Sequence, residues 1–596
     1  MIIKLSSWLS SLLNLKHFSC RNLTRLKALL NPKARIFLAR FIVVISLPLV
    51  LGASPTPDFV ISGVKDEVLE NIQLRLKDLN QTKPLSDDTD EELRQEIEQA
   101  MQPLGFFKPQ IRLRRQPLRI NINAGPQMYI SSLSISLAGE GATNEEIKKE
   151  LIKLPIAQGQ AFNSAKYEEA KRNLIDAAER QGYLHSTFDK AEILLDTAKD
   201  SAQITLIFNT GSRYYFGQIQ FDPTNISPEL LHRYVPFGYG QPYSTDKILT
   251  LNNQLANSGY FKSIAVKPQI NSDKLYIPVE VHLVPANRFS YSLGGGYGTD
   301  TGIRGRFGYH IVPINRAGHK FNILAIGSQK QSMLQAKYSI PGKNPITDEY
   351  QITGNLSALN YDAGDSKSAL VSLAQHHRLS QYKRILSLNS LYDGYHYNNQ
   401  PYSPNESNFT FFPKASFTWL KTKSKLFSPS GYKLNLTGLA SSKYLASYEN
   451  FAQLSLNAKA AITVPQIRTR FYFHTIQGVT FINDINRLPL SLALLLGGAD
   501  NLKAYSFNSI GPGKVLSYAG LEIQKETKKN WYLVGFFDTG SVYKPSPRKV
   551  TSDVGIGLMW VSPLGPIKIG VAQAVDSHFN REGKRPKFFL SIGPDL

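Results

Sequence analysis

The sequence predicts a chain in two parts, an α+β segment repeated three times and then an all-β transmembrane barrel. From Asp58 to about Ala286 a glycine-aromatic mark recurs every 77 residues, as Gly105-Phe106-Phe107, Gly182-Tyr183-Leu184 and Gly259-Tyr260-Phe261, and a fixed period marks a repeated structural unit. Beyond Arg288 the helix patterns fade and tyrosine, phenylalanine and glycine recur in short alternating runs, the period of strands with one apolar face. The start of the chain supplies a third observation, because it reads as an export signal.

Residues 1–53 carry eight Lys/Arg and no acid, and include the apolar run Phe41–Leu51 followed by Gly52-Ala53-Ser54. A basic region, a short apolar region and small residues at a cleavage point make a secretory signal peptide. The alternative is a membrane anchor, but the run is shorter than the roughly 20 residues of a spanning helix and contains Pro48. Cleavage is expected close to Ala53. The whole chain has a net charge of +22, and loss of the eight leader charges leaves about +14. In an exported protein without a Lys/Arg block, that charge points to contact with anionic lipid or lipopolysaccharide, and away from nucleic acid. Cys20, the single cysteine, lies in the leader, so the mature chain is expected to have no disulfide, thiolate metal site or cysteine nucleophile.

Each repeat reads as strand, helix, helix, strand, strand. Helix patterns cover Thr89 to Leu104, Ser164 to Gln181 and Ser244 to Ser258, each starting near a capping side chain, and the second and third run into a glycine suited to the left-handed position past a helix end. Extended runs follow at Gln110–Leu113, Glu192–Leu195 and Ala265–Lys267. Gly125-Pro126-Gln127-Met128-Tyr129-Ile130 and Gly211-Ser212-Arg213-Tyr214-Tyr215-Phe216 form similar seams. The boundaries expected from these marks are 58–125, 126–211 and 212–286. Such units act as spacers, or as binders that take an extended client strand on a sheet edge.

The segment 288–596 alternates strictly in places. Ile303, Gly305, Phe307, Tyr309 and Ile311 share one face, and Arg304, Arg306, Gly308 and His310 the other. Asn315-Arg316-Ala317-Gly318 and Ser428-Pro429-Ser430-Gly431 are turn signals between such runs. A soluble sandwich would show the same alternation. The export signal and a mean hydropathy of −0.22 favour a barrel with lipid outside and a polar lumen.

From Gly497 to Pro566 a loop, Gly497-Gly498-Ala499-Asp500-Asn501-Leu502-Lys503-Ala504-Tyr505, leads into three alternating runs, Leu521–Gln524, Val534–Gly540 and Gly555–Trp560. This order resembles the end of the Omp85 family of outer-membrane barrels, and the repeats resemble its periplasmic POTRA module. The closing Ile592-Gly593-Pro594-Asp595-Leu596 resembles the TamA branch of that family. The resemblance implies 16 antiparallel strands, or about 19 residues per strand and connection. It also implies that the loop folds into the barrel, where an Arg-Gly-Phe/Tyr tripeptide meets acidic residues. The matching positions are Lys503, Ala504 and Tyr505, facing Glu522 and Asp538. Lysine lacks the planar fork of arginine, and a solvated loop is the alternative. The first and last strands would meet at a lateral seam formed by Gly294, Gly295, Gly296, Phe589 and Ser591.

Enzyme signatures are absent: no nucleophile elbow, P-loop or His-Glu-x-x-His motif occurs, and Gly294-Gly295-Gly296-Tyr297-Gly298 has no helix after it. His376 and His377 would point to opposite faces of a strand, a poor metal site. No metal or cofactor is expected. The resemblance implies an insertase that assists folding and insertion of outer-membrane or autotransporter proteins without nucleotide. Its partners would be unfolded clients and an inner-membrane-anchored protein of the TamB type, with the POTRA-like repeats in the periplasm of a Gram-negative bacterium. The other function class is an export pore of the two-partner secretion type.

Overall fold

The computed structural model describes residues 59–593 apart from 83–84, 86–88, 116–117, 272–273, 300, 399–405, 425, 547, 564 and 576–584. The expected leader and the terminal Pro594-Asp595-Leu596 lie outside the described residues. Within them the chain forms two compact units: residues to 134 with 155–170 and 192–205, and residues 135–154, 171–191 and 206 onward.

All three repeats run strand, helix, helix, strand, strand. The first contains β1 (Phe59–Ser62), α1 (Asp66–Thr82), α2 (Asp90–Met101), β2 (Gln110–Arg114) and β3 (Leu118–Asn123). Central β3 pairs parallel with β1 and antiparallel with β2. Helix α2 buries Leu93, Ile97, Ala100 and Met101, which share one face at helical spacing. Its start is fixed by reciprocal bonds: the Glu92 amide donates to Thr89 Oγ1 and the Thr89 amide donates to the Glu92 carboxylate at 2.7 Å. The second repeat contains β4 (Tyr129–Ala138), α3 (Glu145–Ile152), α4 (Ser164–Arg180), β5 (Thr187–Asp196) and β6 (Ser201–Asn209), in sheet order β4-β6-β5. The third contains β7 (Tyr215–Phe221), α5 (Pro228–His232), α6 (Thr245–Ser258), β8 (Phe261–Pro268) and β9 (Tyr276–Pro285), in order β7-β9-β8. Gly105, Gly182 and Gly259 all have left-handed φ, +88°, +91° and +77°. The first glycine mark thus closes its helix as the other two do, through a short 3₁₀ turn at Gln102–Leu104.

Sixteen antiparallel strands follow in one sheet, each paired with the next in sequence. The first eight are β10 (Phe289–Gly298), β11 (Gly302–Ile311), β12 (Lys320–Ser328), β13 (Gln331–Pro341), β14 (Asp348–Tyr361), β15 (Gly364–Arg378), β16 (Tyr382–Tyr397) and β17 (Glu406–Thr422). The other eight are β18 (Gly431–Ser441), β19 (Phe451–Val464), β20 (Thr469–Ile482), β21 (Val515–Lys528), β22 (Trp531–Tyr543), β23 (Thr551–Ser562), β24 (Gly565–Ala574) and β25 (Lys587–Ile592). This is the expected barrel with its expected strand number. Register separates its faces: Leu521, Phe537 and Val554 stand side by side and exposed, while the neighbouring row Gly520, Asp538 and Asp553 faces inward. An apolar outer face and a polar inner face are what a barrel in lipid requires.

The third repeat is fastened to the barrel's first turns. Tyr260 of the third glycine mark donates its hydroxyl to the Gly318 carbonyl at 2.7 Å. Lys320 Nζ donates to the Ser258 carbonyl at 2.6 Å, and Arg233 Nε to the Lys343 carbonyl at 3.1 Å.

Candidate functional site

The connection between β20 and β21, residues 483–514, is long because it returns into the barrel instead of closing a hairpin. Two left-handed glycines begin its inner turn, Gly497 at φ +115° and Gly498 at φ +110°. Asn501 Oδ1 holds the turn by accepting the Gly497 and Leu502 amides, both at 2.7 Å. Leu496, Leu502, Ala504 and Tyr505 then pack on the inner face against Leu516, Tyr518, Val534, Phe536, Met559 and Phe589.

This apolar seat carries Lys503 into a buried polar chain. Its Nζ lies 2.7 Å from Asp538 Oδ2 and 3.4 Å from Glu522 Oε1, and 4.4 Å from the centre of the Phe536 ring. Lys503, Glu522 and Asp538 are at most 5% exposed, so the structure places the lysine in the barrel and not in solvent. Glu522 is shared: Lys568 Nζ sits 2.8 Å from its Oε2, and Gln524 Nε2 donates to the same oxygen at 2.7 Å. Gln524 in turn accepts from Arg470 Nη1 at 2.7 Å, and Tyr518 donates its hydroxyl to Asp538 Oδ1 at 2.8 Å. One chain of contacts therefore links β20, β21, β22 and β24 to the loop. Burying such charges is costly, and they are retained only where partners satisfy them.

Sequence reasoning missed Asp553. It stands directly opposite Asp538 and is fully buried, and its Oδ2 accepts the Ala504 amide at 2.7 Å. Its Oδ1 has no hydrogen-bond partner. The side chain of Asp538 thus holds the lysine of the loop, and that of Asp553 holds the loop's backbone one residue later. Only the strand register brings the two acids together, and a single sequence does not print a register. Lys568 and Arg470 were missed for the same reason.

The seam residues divide. Phe589 is buried against Phe536, ring centres 5.4 Å apart, and Ser591 lines a small polar cavity with Glu522 and Lys568. Both belong to the loop site. Gly294, Gly295 and Gly296 lie on β10 at the other edge of the sheet, where added Cβ atoms would meet nothing closer than 3.8 Å. Between the two edges the Leu590 amide donates to Thr299 Oγ1 at 3.2 Å, and among the described residues no ladder pair joins β10 to β25. His376 and His377 point to opposite faces: His377 pairs with Asp348 at 2.7 Å, and His376 stands opposite Glu349. Among the described residues no cluster suited to a metal ion occurs.

The barrel segment matches the Omp85 superfamily domain over residues 314–595. Residues 58–124 match the first POTRA domain of TamA, and 129–211 and 214–286 match the POTRA repeat described as a surface antigen variable number repeat. The chain is a member of the Omp85 family. Within it, the type of the first POTRA domain places the chain close to TamA. Among solved structures it is similar to BamA from Haemophilus ducreyi lacking POTRA domains 1–3, at 16% identity and a TM-score of 0.63, covering 78% of this chain and 99% of that one. CdiB from Acinetobacter baumannii aligns at 12% identity and a TM-score of 0.45, covering 89% and 99%. Identities this low speak to the fold alone. Family membership makes the chain an outer-membrane β-barrel protein of the insertase and secretion type.

Proposed function

We propose that this protein assists the folding and insertion of outer-membrane proteins, autotransporters among them, without nucleotide hydrolysis or a cofactor. The observation that carries the reading is the contrast between the sheet's two ends and every other strand pair. Neighbours elsewhere share a ladder, whereas among the described residues β10 and β25 share none, and the Leu590 amide of β25 reaches only Thr299 Oγ1 in the turn after β10. An edge with unpaired N–H and C=O groups is a template for another strand. A client strand that adds to β10 would satisfy its own backbone before it faces lipid, where an unpaired group costs several kcal/mol.

In this reading the repeats, at 58–125, 126–211 and 212–286, stand in the periplasm of a Gram-negative bacterium behind a cleaved leader. They receive unfolded clients and meet a TamB-like protein anchored in the inner membrane. The basic surface meets lipid and lipopolysaccharide. The loop packed on the inner wall disfavours a permanently open export pore. Reconstitution into liposomes with a urea-denatured client barrel tests the proposal: the client should become heat-modifiable and protease-protected faster than in empty liposomes. Equal rates, together with a steady large conductance in planar bilayers, would replace the insertase with a pore.

A further inference from the structure

Beyond the loop site the inner wall is basic at the end where the chain arrives from the third repeat. Cross-strand partners trace the inner face outward from Asp538, through Gly520 and His474, to Lys459 and Lys433. The same alternation places Lys414 opposite Ser387, Lys383 opposite Arg378, and Lys337 opposite Asn322, all facing inward. Two of these contacts set like charges directly against each other, Arg378 with Lys383 and Lys433 with Lys459. Like charges opposite one another destabilise a strand pair. Lys503 and Lys568 at the loop site have carboxylates at 2.7 and 2.8 Å. By contrast, no carboxylate among the described residues forms an ion pair with Lys337, Arg378, Lys383, Lys414 or Lys433. Glu349 is on the same inner face, on β14 opposite His376.

Resting on the insertase reading, we propose that this wall binds an acidic, extended segment of a client polypeptide. The surface between the cations carries hydroxyl and amide side chains, such as Ser416, Asn435 and Thr437, which hydrogen-bond across strands, with single apolar residues such as Ile385 and Leu420 among them. Such a surface suits a hydrated peptide and offers no sleeve for acyl chains. The cations also spread from β13 to β18, about 24 Å at the usual strand spacing. An extended peptide covers that span with about seven residues, whereas one lipid headgroup does not.

The test is fluorescence anisotropy of a labelled glutamate decapeptide with the full chain in zwitterionic detergent. A folded Lys337→Gln/Lys383→Gln/Lys433→Gln variant should bind at least tenfold more weakly, and Lys148→Gln/Lys149→Gln/Lys153→Gln on the second repeat should bind as the parent does. Equal binding by the first variant overturns the proposal. If that variant does not fold, maleimide labelling of Ser387→Cys in a Cys20→Ser background replaces it. The glutamate peptide should slow labelling at least fivefold and a lysine decapeptide should not. Protection by phosphatidylglycerol micelles without protection by the glutamate peptide would assign the wall to lipid headgroups and end the proposal. Both readouts are independent of client insertion, so failure here leaves the insertase reading standing, and failure of insertion leaves these readouts interpretable.

Discussion

The two edges of the barrel sheet are braced in opposite ways. At the late edge, β20 to β25 are tied from inside: the loop seats Leu502 and Tyr505 in an apolar core, and Lys503 joins strands through Asp538 and Glu522. At the early edge the inner face of β10 carries serine and glycine and is exposed along most of its length. That edge is tied from outside, by the third repeat gripping the turn after β11 through Tyr260. A sheet held firmly at one end and loosely at the other opens, if anywhere, where the two ends meet.

The comparison breaks most readily at Lys503. Lys503→Ala leaves Asp538 and Glu522 buried without one cation, and loss of one member of a buried pair costs about 3–5 kcal/mol. The temperature at which the folded barrel loses its fast gel mobility should fall markedly, and Lys503→Arg should retain it. Unchanged heat resistance of the alanine variant would mean that the loop does not brace the late edge. Asp553→Ala is expected to have a smaller effect, about 1–3 kcal/mol, because it removes the acceptor of a buried amide; the same gel assay reads it.

These two sites also show what the sequence made legible. The period of 77 exposed the repeats because the second helix of each repeat gives way to a left-handed residue where the chain reverses, and glycine meets that need at every copy. Alternation exposed the strands, since lipid and lumen demand opposite chemistry at successive residues. Lys503, Glu522 and Asp538 could be named because the loop and strands around them keep a familiar order. Asp553 and the basic wall could not, as both arise from register: Asp553 matters through standing opposite Asp538, and Lys433 through standing opposite Lys459. Pairing is a relation between distant segments, and no local pattern encodes it.

The outside brace at the early edge is tested by Tyr260→Phe, which removes the bond to Gly318 while keeping the ring. A loss of about 0.5–1.5 kcal/mol is expected, seen as faster protease cleavage between the third repeat and the barrel; cleavage unchanged from the parent would show that the repeat is held by other contacts. A matched glycine pair separates the edges most finely. An added Cβ at Gly570 would lie 2.5 Å from the Ile556 carbonyl and 2.7 Å from the Phe589 ring, whereas at Gly295 the nearest atom is 4.0 Å away. Gly570→Ala should lower heat resistance. Gly295→Ala should be neutral or stabilise by about 0.4–1 kcal/mol through the unfolded chain. Equal losses at both positions would mean that the edges are packed alike.

The opening of the sheet where β10 meets β25 is tested directly by a disulfide across it. Thr299 and Leu590 are joined there by a hydrogen bond, and Cys20 is the one cysteine of the sequence, so Thr299→Cys/Leu590→Cys in a Cys20→Ser background gives a clean cross-link. With the bond formed and verified on a gel, client insertion into liposomes should stop, and reduction should restore it. Full insertion by the demonstrably locked barrel would contradict lateral opening.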